Sequence, residues 1–216
     1  MSSKSFHHYL RGMFSEQQEK WLKRVEEMFL RYGIKSVTMD EVARELGISK
    51  KTLYAFVESK DDLVYKVMQR HIEAEKAMCA GLFQQAANAI EEMVIVIEAN
   101  MQQMAQIKSN VVFDLQKYHR DAWEMMEGYQ RGSLYEAVRS NLERGVSEGL
   151  YRSDFDVDIV ARLHVAMSFQ LFNEDIFPHP PYKREVVFFQ YQMHYLHGIV
   201  TDQGRALLLE KFAHHA

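Results

Sequence analysis

Lys50, Lys51, Thr52 and Tyr54 stand close together in the stretch MDEVARELGISKKTLYAFVE, residues 39–58. Their types and spacing suit one kind of chemistry, the reading of duplex DNA. A Lys donates to guanine O6 and N7 or to a phosphate oxygen. A Thr hydroxyl reaches either, and its methyl can touch a thymine. Tyr54 carries a hydroxyl on a rigid arm, suited to a phosphate. Lys60 starts a further predicted helix, where an ammonium and free backbone N–H groups together make a phosphate clamp. Thr38, at the start of an earlier helix, is placed for the same task, and Ser49 heads the helix that carries the lysines. Thr38, Ser49, Lys50, Lys51, Thr52, Tyr54 and Lys60 are therefore the candidate DNA-binding residues. For each, the competing reading is a solvated surface position.

Such side chains need a scaffold that aims them. The pattern predicts two short helices, 39–46 and 50–56, crossing steeply through a tight turn. The crossing needs apolar residues at Val42, Leu46, Ile48, Leu53 and Phe56, a small one at Ala43, and a residue tolerant of positive φ at Gly47. All are present, as a helix-turn-helix requires, and its second helix enters the major groove. An ordinary helical hairpin inside a core is the alternative. Ahead of the pair, Trp21, Leu22, Val25, Met28 and Phe29 share one face of a first helix that stops near Gly33. Ser15 with Gln18, Thr38 with Glu41 and Asn88 with Glu91 fit capping boxes. Ser59 followed by Asp61 and Asp62 puts negative charge in a first turn, where the helix dipole favours it.

The run from Trp21 to Leu63 resembles the DNA-binding domain of the TetR family of bacterial transcription regulators. The matching residues are Phe29, Gly33, Thr38, Val42-Ala43, Gly47-Ile48-Ser49, Thr52-Leu53-Tyr54, Ser59-Lys60 and Leu63. The sequence departs from the family pattern at Val57, where Phe is usual, and at Ala55-Phe56, where Tyr-His or similar is common. These departures shift the expected readout toward Lys50 and Lys51. The resemblance implies a variable helical C-terminal domain that binds a small ligand and dimerises through its last two long helices. It also implies that the ligand changes the spacing of two recognition helices and so releases DNA.

The rest of the chain agrees with a helical protein. It has 216 residues, 47% hydrophobic and 26% charged, which suits one or two globular domains and excludes disorder as the main state. Its 10 Gly and 3 Pro are too few for a protein built of tight hairpins. The fold class expected is all-α. Helices are predicted at 60–86, 89–107, 110–119, 122–149, 156–177, 182–201 and 204–212, with breaks at Ser109, His119–Asp121, Gly149–Asp156 and Pro178–Pro181. The net charge of −4 divides unevenly. Residues 1–70 hold 13 Lys and Arg against 10 Asp and Glu, and residues 71–216 hold 13 against 20. A mildly basic head on an acidic body fits a DNA-binding domain at 1–60 and a ligand-binding and dimerisation domain at 61–216. The single Cys79 excludes an internal disulfide. With no apolar run long enough for a membrane helix or a signal peptide, a cytoplasmic location is expected.

Helices 156–177 and 182–201 are apolar over more of their circumference than a surface helix should be, so each is expected to have two partners. One is their own core. The other is the same pair in a second subunit, giving a homodimer with Leu163, Met167, Phe189, Met193 and Leu196 at the interface. Burial in a monomer is the alternative. Phe83, Met104, Phe113, Tyr118, Trp123, Met126, Tyr129 and His164 are candidate walls of a pocket for a small, partly apolar effector. The same residues would serve as plain core. His194 and His197 are spaced to share a metal but lack a third ligand. His7-His8 and His214-His215 are near the termini. No cofactor, metal or catalytic constellation is called for. The expected function is a ligand-responsive repressor that binds a palindromic operator. The rival is an all-α small-molecule-binding protein or small enzyme whose helix-turn-helix is only structural.

Overall fold

The computed structural model describes residues 13–83, 85–104, 110–178 and 180–212, and leaves the side chains of residues 82, 83, 102, 103, 110 and 169 undescribed. Every regular element among these is helical: α1 (Glu16–Tyr32), α2 (Met39–Leu46), α3 (Lys50–Phe56), α4 (Lys60–Phe83), α5 (Ala89–Met104), α6 (Asn110–Tyr118), α7 (Arg120–Tyr129), α8 (Tyr135–Ser147), α9 (Val157–Gln170), α10 (Arg184–Ile199) and α11 (Asp202–Phe212). A π-helical turn, Gln130–Leu134, joins α7 to α8. The only pairing of extended backbone among the described residues is an isolated antiparallel bridge between Tyr151 and Val200. None of these helices is long and apolar enough to cross a membrane.

The chain divides into two units. Unit 1 takes in Met1–Met78 and Gln106–Tyr129, and unit 2 takes in Cys79–Ala105 and Gln130–Ala216.

Unit 1 is built from the capping signals in the sequence. Ser15 and Gln18 form a full capping box on α1, and Thr38 and Glu41 form one on α2. The Ser49 hydroxyl accepts from the Thr52 N–H to start α3, and the Ser59 hydroxyl accepts from the Asp62 N–H to start α4. Each cap satisfies backbone donors that the helix itself cannot. Gly47 ends α2 in the left-handed region at φ 67°, as the turn demands. The core joins Leu22, Val25 and Phe29 of α1 to Val42 and Ala43 of α2, Leu53 of α3, and Leu63, Val64 and Val67 of α4. Leu115 of α6 and Ala122 of α7 complete it.

Unit 2 packs Ile90, Met93, Val94 and Ile97 of α5 against Val138 and Leu142 of α8, Ala161 and Val165 of α9, Phe188 and Leu196 of α10, and Leu208 of α11. A buried hydrogen-bonded knot pins α5 to α8. Asn141 Nδ2 and the Tyr151 hydroxyl reach the Ala89 carbonyl at 3.0 and 3.2 Å, and the hydroxyl lies 3.1 Å from Asn141 Oδ1. Beside it Arg144 donates to Glu148, Glu92 and the Ala86 carbonyl. The expected box at Asn88 is only half formed. Its side chain accepts from Glu91 N–H, but Glu91 reaches back to the Ala87 N–H instead.

Two expected helices differ most in extent, the others by three residues or fewer at an end. The 122–149 stretch starts two residues earlier and is interrupted by the π turn, which holds Gly132 and follows Gly128, both poor helix formers. The 156–177 stretch ends at Gln170, because the Asn173 side chain accepts from the Asp175 N–H and turns the chain instead. The expected break at Ser109 lies outside the described residues.

Gly145 gives a direct test of the packing in unit 2. A Cβ placed there would lie 2.0 Å from a ring carbon of the buried Tyr151. Gly145→Ala is expected to destabilise the protein by about 1–3 kcal/mol, read as a lower denaturant midpoint. Gly128→Ala, whose Cβ would meet nothing within 4 Å, is expected to leave the midpoint unchanged or raise it.

Candidate nucleic-acid interface

Leu53 is fully buried at the centre of α3, and its burial fixes which way the short helix faces. Lys50, Lys51, Thr52, Tyr54 and Ala55 are consequently exposed. The candidates are not equally free. Lys50 Nζ lies 2.6 Å from Asp40 Oδ1 of α2, and the hydrogen bond and charge of that carboxylate raise its pKa. Lys51 has no partner among the described residues. The Thr52 and Ser49 hydroxyls share a 2.8 Å hydrogen bond, so both take part in the cap of α3. Thr38 is spent in its capping box, donating its hydroxyl to Glu41 and accepting from the Glu41 N–H. The bonds from the Thr38 backbone N–H and hydroxyl in turn lower the Glu41 pKa. Lys60 is half-buried and donates to the Lys35 carbonyl at 3.2 Å. Burial lowers its pKa against the pull of Asp114, Asp61 and Glu41.

Behind this surface the unit is braced by contacts distant in sequence. Asp114 of α6 is 3% exposed, and its carboxylate accepts the Lys35 backbone N–H at 2.9 Å. This anchors the loop between α1 and α2. Tyr118 receives a hydrogen bond from Lys35 Nζ at 3.3 Å, which lowers the phenol pKa. His119, between α6 and α7, is 7% exposed and pairs through Nδ1 with Asp61 in the first turn of α4, at 2.6 Å. These partners are 79 and 58 residues apart for the Asp114 and His119 contacts, so no local pattern announces them.

A second brace joins α1 to α4. Arg70 bonds to both Glu19 and Glu26, at 3.1 and 2.7 Å. His71 presents Nδ1 to Glu26 at 2.6 Å and Nε2 toward Glu75 at 3.9 Å. Burial alone would lower the His71 pKa, but the bond to Glu26 and the charges of Glu26 and Glu75 outweigh it and the opposing charge of Arg70, raising it above 6.5. Glu26 is half-buried, which alone would raise its pKa, yet His71 and Arg70 hold it low. Burial raises that of Glu75.

The expected pocket residues fall in both units. In unit 1, Phe113 and Tyr118 are exposed and meet edge to face at 6.5 Å. Trp123 and Met126 pack against the unit 1 core, and Tyr129 faces Lys76 at 5.7 Å. In unit 2, Met104 packs against the core. His164 is buried there, with its ring 4.0 Å from that of Tyr195 and Nδ1 3.0 Å from the Tyr191 hydroxyl. Burial lowers its pKa to about 4, so it is neutral at pH 7. The Phe83 side chain lies outside the described residues, as do His7, His8, His214 and His215. Of the expected interface residues, Leu163 is 60% exposed and Met167 is also exposed. Phe189 and Met193 are half-buried, and Leu196 is fully buried in the core of its own unit. His197 Nδ1 lies 3.3 Å from a guanidinium nitrogen of Arg205.

Comparison with known proteins agrees with this geometry. Residues 22–67 match the family described as bacterial regulatory proteins, tetR family. An uncharacterised HTH-type transcriptional regulator of Bacillus subtilis, YvaF, is 33% identical over 95 residues, spanning 44% of this chain and 50% of that protein. This chain thus spans about half the length of that relative. The HTH-type transcriptional repressor KstR2 of Mycobacterium tuberculosis is 24% identical over 157 residues, 70% of this chain and 77% of the relative. The solved structure of KstR2, described as a ketosteroid transcriptional regulator, superposes with a TM-score of 0.58 at 21% identity, over 88% of this chain and 98% of that one. A regulator from Saccharomonospora viridis, solved in complex with choline, superposes with a TM-score of 0.68 at 18% identity, over 86% and 97%.

Two outcomes follow from this arrangement. Lys51→Ala is expected to cost about tenfold in affinity for the preferred DNA and less for random DNA, whereas Tyr54→Phe weakens both alike. Anisotropy titrations on the two DNAs separate these effects, and equal losses for Lys51→Ala would remove it from base readout. The second outcome concerns pH. The raised His71 pKa gives stability that is complete below 6.5 and is lost as pH rises through the folded value. The melting temperature of the wild type is expected to fall over that alkaline window, and His71→Gln is expected to flatten the slope.

Proposed function

We propose that the chain is a TetR-family transcriptional regulator, and that it is a homodimeric repressor released from a palindromic operator by a small, partly apolar effector. The observation that carries the reading is α3, with Lys50, Lys51 and Tyr54 turned outward over a fully buried Leu53. One such helix makes few contacts, so two half-sites are needed for tight binding. Ile159, Leu163 and Met167 lie four residues apart along α9 and are all exposed, with Val186 of α10 exposed as well. An apolar stripe of this kind supports a two-fold contact with a second copy. The choline complex of one neighbour and the repressor role of KstR2 support an effector-controlled repressor here. Residues 1–60 then contact DNA, and 61–216 bind the effector and the second subunit. The protein works in the cytoplasm and catalyses no reaction.

Control is a shift between two populations. The effector favours a state whose two recognition helices are wrongly spaced for adjacent half-sites. Asp114 and His119 transmit the change, because they hold the α1–α2 loop and the start of α4, the two segments that flank the helix-turn-helix.

The direct test is anisotropy of the full chain on the DNA upstream of its own gene against random DNA at two salt concentrations. Preference for the upstream DNA with a steep salt slope is expected. Equal, weak binding to both DNAs would remove the helix-turn-helix from function. Once an effector is found, Asp114→Asn is expected to reduce its effect on DNA affinity at least threefold while changing effector-free affinity less. A full response in that variant would exclude Asp114 from the coupling.

A further inference from the structure

Two buried side chains in unit 2 each hold a polar atom with no hydrogen-bond partner among the described residues. Arg184, the first residue of α10, is 8% exposed, and among the described residues its Nε has no hydrogen-bond partner. Gln192, two turns on, is 5% exposed, and its Oε1 has none either. Both lie on the core-facing side of α10, with Phe188 between them and Leu196 beyond. The Arg184 guanidinium lies over the Phe172 ring at 5.4 Å. The carboxylate it pairs with among the described residues is Glu174, 3.3 Å from Nη2 and about half exposed. A buried charge with so slight a partner and an idle donor costs free energy that a ligand would restore. The N-cap of α10, Lys183, offers no side-chain bond, so the positive end of the helix dipole also lies here, beside one first-turn acid, Glu185.

We propose that this stripe of α10 is the effector site's polar rail, that Arg184 takes the carboxylate of an amphipathic anion, and that Gln192 Oε1 accepts from a hydroxyl farther along the same molecule. The positions are about 12 Å apart along the helix at 1.5 Å per residue, so the ligand is an elongated apolar body with an anionic end and a distal donor. The assignment rests on the reading of the chain as an effector-responsive regulator and narrows its ligand class.

Calorimetric titration of the full chain with decanoate, decanol, decyltrimethylammonium and 10-hydroxydecanoate tests it. Decanoate is expected to bind at least tenfold more tightly than decanol or the cation, and 10-hydroxydecanoate severalfold more tightly again. Arg184→Gln abolishes the preference for the anion, and Gln192→Leu abolishes only the gain from the hydroxyl. Glu174→Gln frees the guanidinium and strengthens decanoate binding severalfold, an effect that a purely structural Arg184–Glu174 pair would not give. If Arg184→Gln melts early, Glu174→Gln carries the test. No binding of any probe, binding indifferent to charge, or unchanged decanoate affinity in Glu174→Gln would overturn the assignment. The DNA titration separates the two readings. Specific DNA binding without anion binding removes only the ligand class, and anion binding without specific DNA binding removes the regulator.

Discussion

Helices of 8 and 7 residues cannot hold a crossing angle by themselves, and the geometry of α2 and α3 has to be imposed from outside. Much of unit 1 serves that constraint. Leu53 and Val42 lock the pair into a core supplied by α1 and α4, and Gly47 sets the turn between them. Caps at Thr38, Ser49 and Ser59 fix where successive helices begin. The exposed lysines have a defined direction only because this apolar seam is closed beneath them.

The polar groups divide by the same logic. Those that hold backbone or another helix are buried or bonded, as with Asp114 on Lys35, His119 on Asp61, and the Glu26–Arg70–His71 cluster. On α3, Lys51 and Tyr54 face solvent, while Lys50 pairs with Asp40 and Thr52 with Ser49. Arg184 and Gln192 break the pattern, being buried and incompletely bonded. That exception is the basis for proposing them as ligand-facing positions.

The helix-turn-helix was legible because its determinants are local. A cap and its partner are three residues apart, a helical face repeats within a turn, and Gly47 marks a positive φ by its identity. The same locality made the element order readable through α11. What stayed hidden depends on three-dimensional proximity. Asp114 meets Lys35 across 79 residues, so α6 gave no sign of closing on the unit 1 core. The π turn after Gly128 continues a helical pattern and leaves it nearly unmarked. Phe113, Trp123 and Tyr129 read alike as aromatic wall residues, although the fold places one in solvent, one against the unit 1 core and one beside Lys76.

If α3 meets DNA as proposed, the 2.6 Å contact between Lys50 and Asp40 has a consequence for that surface. Lys50 would arrive with its own counterion, covalently part of the protein. A phosphate or a guanine that takes the ammonium would share its three N–H donors with the carboxylate or displace it, so the exchange would gain less than with a bare lysine. Asp40 would then stand near the duplex as a fixed negative charge, accepting from a donor such as a cytosine amino group and opposing acceptors. One acid on α2 would thus trade general affinity for discrimination.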